Sequence, residues 1–257
     1  MQSRSEMKHS FKLLMLASMV TLALWFIPFA EVITYPFRIF VTFIHETGHA
    51  LAALASFGDV HGLGINLDGS GVTWTSDGIR LLISSAGYIS TTIYGAILLL
   101  MMRKASHARA AAIGTAGIML AVPLIFSGNL WTWIFGLGFG AGFLALALKG
   151  NQKVLHFFMS FLAIQSLLNA FYDLRTLMYL SAFSPTAQTD AHNMEQATGG
   201  IIPAIVWSIG WALFSVAILG VTLAVYYRSL KQSSDPAPAI DFPLLDDQFR
   251  SMSNRQF

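Results

Sequence analysis

The sequence predicts an all-α, multi-pass membrane protein with about six to seven apolar helices and a small membrane-associated β-hairpin. Of its 257 residues, 55% are hydrophobic and 11% are charged, whereas soluble domains carry about 25% charged residues. Several stretches reach the roughly 20 apolar residues that a helix needs to cross a bilayer. The formal net charge of +2 is too small to indicate a nucleic-acid partner. We therefore expect the lipid bilayer to surround most of this chain.

The N-terminal region is expected to contain a retained membrane helix. The apolar stretch Phe11–Ala30 follows several basic residues, and no small-residue cleavage site comes after it, which disfavours a cleaved signal peptide. Tyr35-Pro36 then predicts a helix break, because proline lacks a backbone N–H and restricts the residue before it. The predicted division of the chain is an N-terminal tail and first membrane helix over residues 1–36, a membrane core over residues 37–227, and a polar, disordered tail over residues 228–257.

A different pattern separates the first two apolar stretches of the core. Between Phe37–Phe57 and Ile79–Met102, short β-prone runs flank Asp68-Gly69, which predicts a hairpin over Val60–Thr75. An ordinary polar loop is the alternative. Lys and Arg cluster in the predicted loops 103–109 and 149–153, whereas the polar segment 184–200 contains neither. This segment is therefore expected to be a loop on the opposite side of the membrane from those basic loops. The remaining predicted spans are Ala110–Ser127, Asn129–Leu148, Val154–Phe183 and Ile201–Tyr227.

One predicted helix carries small residues at regular spacing. Gly87, Thr91 and Gly95 recur every four residues on one face of Ile79–Met102. Small side chains at this spacing let membrane helices approach closely. We therefore expect this face to pack directly against a neighbouring helix.

The run His45-Glu46-Thr47-Gly48-His49 is the strongest functional signal in the sequence. Histidines at i and i+4 lie on one helix face and can share a zinc ion, while the intervening glutamate can act as general base. A chance match with solvated side chains is the alternative. The nearly uncharged stretch around the run disfavours it, because polar clusters in membrane segments are costly and usually functional.

A catalytic zinc site usually takes a third protein ligand, and the chain has no cysteine to supply one. Asp173 is favoured, because it is the sole acid within the apolar spans after Glu46; an ion pair with Arg175 or an interfacial position is its alternative. Asp190, from the polar segment, is the second candidate, and a solvated loop acid is its alternative. Asn169 lies one turn before Asp173 and is predicted to hydrogen-bond that aspartate or a substrate, or to make an interhelical contact.

Several runs together resemble a known family. HETGHALAAL on an apolar helix resembles the site-2 protease group of intramembrane zinc metallopeptidases. The runs GSGVT, SSAGYISTTIYGAILLL, QSLLNAFYDL, TDAHNMEQATG and PAIVW resemble more closely a compact bacterial branch, the peptidase-fifty-B-like (M50B-like) proteins. The resemblance extends from Phe37 to about Trp211.

This resemblance implies His45 and His49 as zinc ligands and Glu46 as the general base. The group takes its third ligand from an aspartate on a later membrane helix, in a context in which glycine follows. Here Leu174 follows Asp173, so the resemblance leaves the choice between the two aspartates open.

The expected activity is hydrolysis of peptide bonds in or near the membrane, with a membrane protein or peptide as substrate. The hairpin over Val60–Thr75 is expected to hold unwound substrate by strand addition. The alternatives are a zinc hydrolase of a non-peptide amide and a non-proteolytic scaffold or transporter component, although a purely structural metal site does not need Glu46. The expected location is a bacterial inner membrane. The sequence identifies neither the substrate nor the oligomeric state.

Overall fold

The computed structural model describes residues 30–126, 128–184 and 187–232, with a few isolated positions between 12 and 27. The predicted first membrane helix is described only at isolated positions, and the tail from residue 233 onward lies outside the described residues. The helices are α1 (Ala30–Ala55), α2 (Arg80–Met101), α3 (His107–Phe126), α4 (Leu130–Lys149), α5 (Gln152–Phe183), α6 (Asp190–Ala197) and α7 (Ala204–Gln232), and the strands are β1 (Asp59–Ile65) and β2 (Gly71–Ser76).

Five of the described helices, α2 to α5 and α7, are long and apolar enough to cross a membrane. Large apolar side chains such as Leu124, Leu148, Leu213 and Val221 point outward and are about two-thirds exposed. A hydrocarbon surrounding accepts such side chains, whereas water does not favour them. The predicted all-α, multi-pass membrane fold is confirmed.

The helix that carries HETGH begins at Ala30 and continues through Pro36. The predicted break at Tyr35-Pro36 is therefore wrong. The proline removes one backbone hydrogen bond, and its ring lies on the exposed side of the helix. The following turns bury Ile39 and Phe43 completely in the main apolar core, and this tertiary packing outweighs the local penalty.

The predicted hairpin is confirmed. Strands β1 and β2 pair in antiparallel fashion, with Ile65 opposite Gly71 at the turn end. In the turn, Gly69 has a φ of 86°, a conformation that glycine adopts without steric cost. Leu63 and Ile65 on β1 are fully buried in the main core, which holds the hairpin against the helices.

The small-residue face of α2 packs as predicted, between α1 and α5. A Cβ added at Gly95 would lie 2.9 Å from the Leu167 Cγ on α5. On α1, a Cβ added at Gly48 would lie 2.1 Å from the Ser90 Oγ of α2. These helices can therefore cross at this distance only because glycine stands at their contact points.

The polar segment 184–200 contains the short helix α6, which the sequence interpretation treated as a loop. The side chain of Thr189 caps its N-terminus by accepting the backbone N–H of His192. Ala191 and Met194 are buried in a second core cluster that includes Trp211 of α7. Because these residues anchor α6, its first residue, Asp190, is held inside the protein beside α1.

Candidate metal centre

Three side chains from two helices bring their ligand atoms together. His45 and His49 lie one turn apart on α1, with ring centroids 4.7 Å apart. Asp190, which lies 145 residues after His45, completes the group from the first turn of α6. Within the part of the chain that the structure describes, this is the one set of His, Asp or Glu residues whose ligand atoms all lie within 4.8 Å of one another.

The distances within this group suit a shared metal ion. The Asp190 Oδ2 lies 3.2 Å from the His45 Nε2 and 3.4 Å from the His49 Nε2. Ligand atoms about 2.0–2.1 Å from a tetrahedral zinc ion are about 3.3–3.4 Å apart. A charge-assisted N–H···O bond is shorter, about 2.7–2.9 Å. The donor set of two imidazoles and one carboxylate is also one that zinc accepts.

Neighbouring groups orient both histidine rings. The Nδ1–H of His49 donates to the carbonyl of Ile83 at 2.6 Å; because a carbonyl only accepts, Nε2 is the ring nitrogen that faces the group. The ring of His45 packs edge-on against the ring of Tyr88, with the ring centroids 4.6 Å apart, and Tyr88 stacks on Trp211 with the centroids 5.3 Å apart. The imidazoles are thus held in place by α2 and α7 as well as by their own helix.

Gly87 of α2 leaves the space in which these ligand atoms meet. A Cβ at this position would lie 2.3 Å from the His45 Nε2 and 2.6 Å from the His49 Nε2. Real Cβ atoms essentially never approach other heavy atoms this closely. Glycine at this position is therefore a condition for the site as well as for helix packing.

Glu46, between the two histidines, is buried under the hairpin, with 5% of its surface exposed. The hydroxyl of Thr73 on β2 donates to its Oε2 at 2.7 Å. A Cβ added at Gly71 would lie 2.6 Å from the Glu46 Oε1. Strand β2 therefore lies against this carboxylate.

Two opposing effects act on the pKa of the Asp190 carboxyl. Burial raises its pKa, but the charge of His49 and the polar contacts with both histidines outweigh burial and hold the pKa well below its usual range. The group is therefore ionised at neutral pH, which is the form that binds a metal ion.

A sequence model of the family described as Peptidase M50B-like matches residues 15–222, more than half of the chain. The chain belongs to the Peptidase M50B-like family. The resemblance predicted from the sequence is confirmed, and with five apolar helices the chain is an integral membrane protein of a peptidase family. No curated protein and no solved structure matches it.

In this M50B-like protein, Asp173 lies outside the group of ligand atoms. It is partly buried on α5 and interacts electrostatically with His45. Among the described residues it forms no ion pair with Arg175. The amide nitrogen of Asn169, one turn earlier, is buried without a hydrogen-bond partner. Of the two acids predicted as third ligand, the structure brings Asp190 to the histidines and leaves Asp173 nearby.

A cavity of about 320 Å³ adjoins the candidate metal centre. His49 and Asp190 form one end of it. The hairpin, the start of α2 and helix α6 supply its other walls, with polar side chains that include Thr75, Asp77, Arg80, Ser84, Asn193 and Gln196. The cavity therefore gives a mostly polar access to His49 and Asp190.

Two residues of the M50B-like site were not predicted as part of it. Gly87 was assigned to helix packing, although its place in the AGY run, two turns from the start of a helix that must approach HETGH, was an available signal. Thr73 was placed in the hairpin without a partner, since no sequence pattern specifies which strand residue faces Glu46.

Proposed function

We propose that this protein is a zinc metallopeptidase that hydrolyses peptide bonds in or near the membrane, with His45, His49 and Asp190 as zinc ligands and Glu46 as general base. The observation that carries the proposal is the convergence of the HExxH imidazoles with one ionised carboxylate at 3.2 and 3.4 Å, beside a buried glutamate. A bacterial inner membrane is the proposed location.

Different residues of the site would supply the metal ligands and the proton transfer. A zinc ion in such a site acts as a Lewis acid and makes water more acidic. Glu46 takes one proton from the attacking water, and the resulting oxygen nucleophile forms a bond to the carbonyl carbon of the peptide. Glu46 then returns that proton to the leaving amine as the C–N bond breaks. Thr73 holds the Oε2 of this carboxylate, which leaves the other oxygen for proton transfer.

The substrate peptide is proposed to lie in the cavity against the hairpin. Strand β2 contributes Thr73, Thr75 and Ser76 to the cavity wall, and each strand of a two-stranded sheet has one unpaired edge. Such an edge can hold the extended backbone that hydrolysis requires. Proline in place of Val72 is expected to lower cleavage, and unchanged cleavage would remove this part of the proposal.

The chemistry is tested with detergent-purified protein. Bound zinc is measured by mass spectrometry, and cleavage is measured on a library of membrane-spanning peptides. Glu46→Gln is expected to keep its zinc while cleavage falls by roughly 10²–10⁴-fold, the contribution usual for a general base. Equal cleavage by wild type and Glu46→Gln would refute the mechanism.

The third ligand is tested with a matched pair of variants. Asp190→Ala is expected to lose both zinc and activity, because two histidines remain. Asp173→Ala removes an acid of the same size near the site and is expected to keep its zinc. The reverse result would return the assignment to Asp173.

A further inference from the structure

One face of α1 is bonded to the hairpin from Tyr35 to Glu46. Positions 35, 38, 42 and 46 follow helical spacing and share this face. The first three donate to consecutive carbonyls of the hairpin turn, Tyr35 to Leu67, Arg38 to Asp68 and Thr42 to Gly69. Because three successive carbonyls are bonded, the hairpin cannot slide along the helix without losing all three contacts.

This register brings β2 to the fourth position of the same face, Glu46. The Thr73 Oγ1 lies 2.7 Å from the Glu46 Oε2 and 3.0 Å from the backbone carbonyl of the same residue. A hydroxyl has one hydrogen to donate, and the shorter distance and the negative charge favour the carboxylate. Gly71 leaves room for the other oxygen, because a Cβ at this position would lie 2.6 Å from the Glu46 Oε1.

We propose that Thr73 is a positioning residue that aims the carboxylate of Glu46, and that the bonded hairpin turn keeps Thr73 in place. The inference rests on the proposed role of Glu46 as general base. A glutamate side chain has several rotatable bonds, and proton transfer requires its oxygen at a defined place. A hydroxyl from a second, rigidly registered element supplies this restraint without touching the metal ligands.

The proposal is tested by replacing Thr73 with valine, which keeps the shape and removes the hydroxyl, and with serine, which restores it. Thr73→Val is expected to lower kcat roughly ten- to a hundredfold, the effect of losing a hydrogen bond to a charged group. Zinc content should stay at the wild-type level, since the ligands do not change, and KM should change less than kcat, since valine keeps the shape of the cavity wall. Thr73→Ser should recover most of kcat. Cleavage is followed on the membrane peptide that the wild type cuts fastest.

A matched control removes a threonine hydroxyl elsewhere. Thr222 on α7 is buried and donates to the carbonyl of Ile218 in its own helix, so Thr222→Val should leave kcat unchanged. Gly71→Ala is a second, independent variant, because its Cβ displaces the strand from Glu46 while the Thr73 hydroxyl remains. It should also lower kcat and keep zinc.

The outcomes separate this inference from the function on which it rests. Wild-type kcat in Thr73→Val, with Glu46→Gln inactive, would overturn the positioning role alone. A loss of zinc in both Thr73→Val and Gly71→Ala would assign the hairpin a structural role and would also overturn it. Equal cleavage by wild type and Glu46→Gln would instead remove the proposed function.

Discussion

Replacement of Gly87 by alanine is the most direct test of the site geometry. The added methyl carbon would lie 2.3 Å from the His45 Nε2 and 2.6 Å from the His49 Nε2. Ordinary contact needs about 3.5 Å, so the rings must retreat by roughly 1 Å. A metal site tolerates deviations of about 0.2 Å in its bond lengths. Because loss of a single outer hydrogen bond already costs roughly 10–100-fold in metal affinity, Gly87→Ala should weaken zinc binding by more than about a hundredfold.

The assay is titration of metal-stripped protein with zinc, followed by the cleavage measurement. Gly138→Ala on α4 is the neutral control, since a Cβ there meets no atom within 4 Å. Gly95→Ala, two turns along the same face of α2, controls for damaged helix packing: its Cβ presses on Leu167 and not on the histidines. Wild-type zinc affinity in Gly87→Ala would refute the assignment of the two Nε2 atoms as ligands.

Three further predictions concern stability. Gly48→Ala, whose Cβ would lie 2.1 Å from the Ser90 Oγ, should force α1 from α2 and cost about 1–3 kcal/mol; an unchanged Tm would contradict the close packing. Zinc at a free concentration 100 times its Kd stabilises the folded state by about 2.7 kcal/mol. Removal of zinc by a chelator should therefore lower the Tm of the wild type but leave the Tm of Asp190→Ala unchanged. Hydrogen bonds from Ser70 lower the pKa of Asp68 below 3.8 in the folded protein. The ionised carboxylate therefore stabilises the turn at pH values above the unfolded-state pKa, and this stabilisation disappears as the pH falls through the lower folded-state pKa. Amide exchange should show this loss in the wild type and not in Asp68→Asn.

Much of the fold follows from local patterns. Long apolar runs predict the membrane helices, and alternating β-prone runs around Asp68-Gly69 predict the hairpin. The spacing of His45 and His49 is sufficient to place both rings on one helix face. The prediction failed at Pro36, because the rule that proline ends a helix is local, whereas the burial of Ile39 and the turns that follow it is a property of the whole core.

The approach of Asp190 to the two histidines depends on tertiary structure. The preference for Asp173 came from counting acids inside apolar spans, which assumes that depth in the membrane decides proximity to zinc. Asp190 reaches the histidines because Thr189 caps a short helix and Ala191 anchors it. The capping pattern is visible in the sequence, but an eight-residue helix in a polar segment has no apolar run to reveal the direction in which it folds.

Asp190 is synthesised long after the two histidines that it approaches. Its carboxylate lies 145 residues after His45, and four of the five membrane-spanning candidates stand between the two. At about 5–20 residues per second, the ribosome needs on the order of 7–30 seconds to add the aspartate after the first histidine. The proposed zinc centre is therefore incomplete while those four helices are being inserted. Under the proposed assignment, a chain that ends before Asp190 lacks the third ligand of this centre.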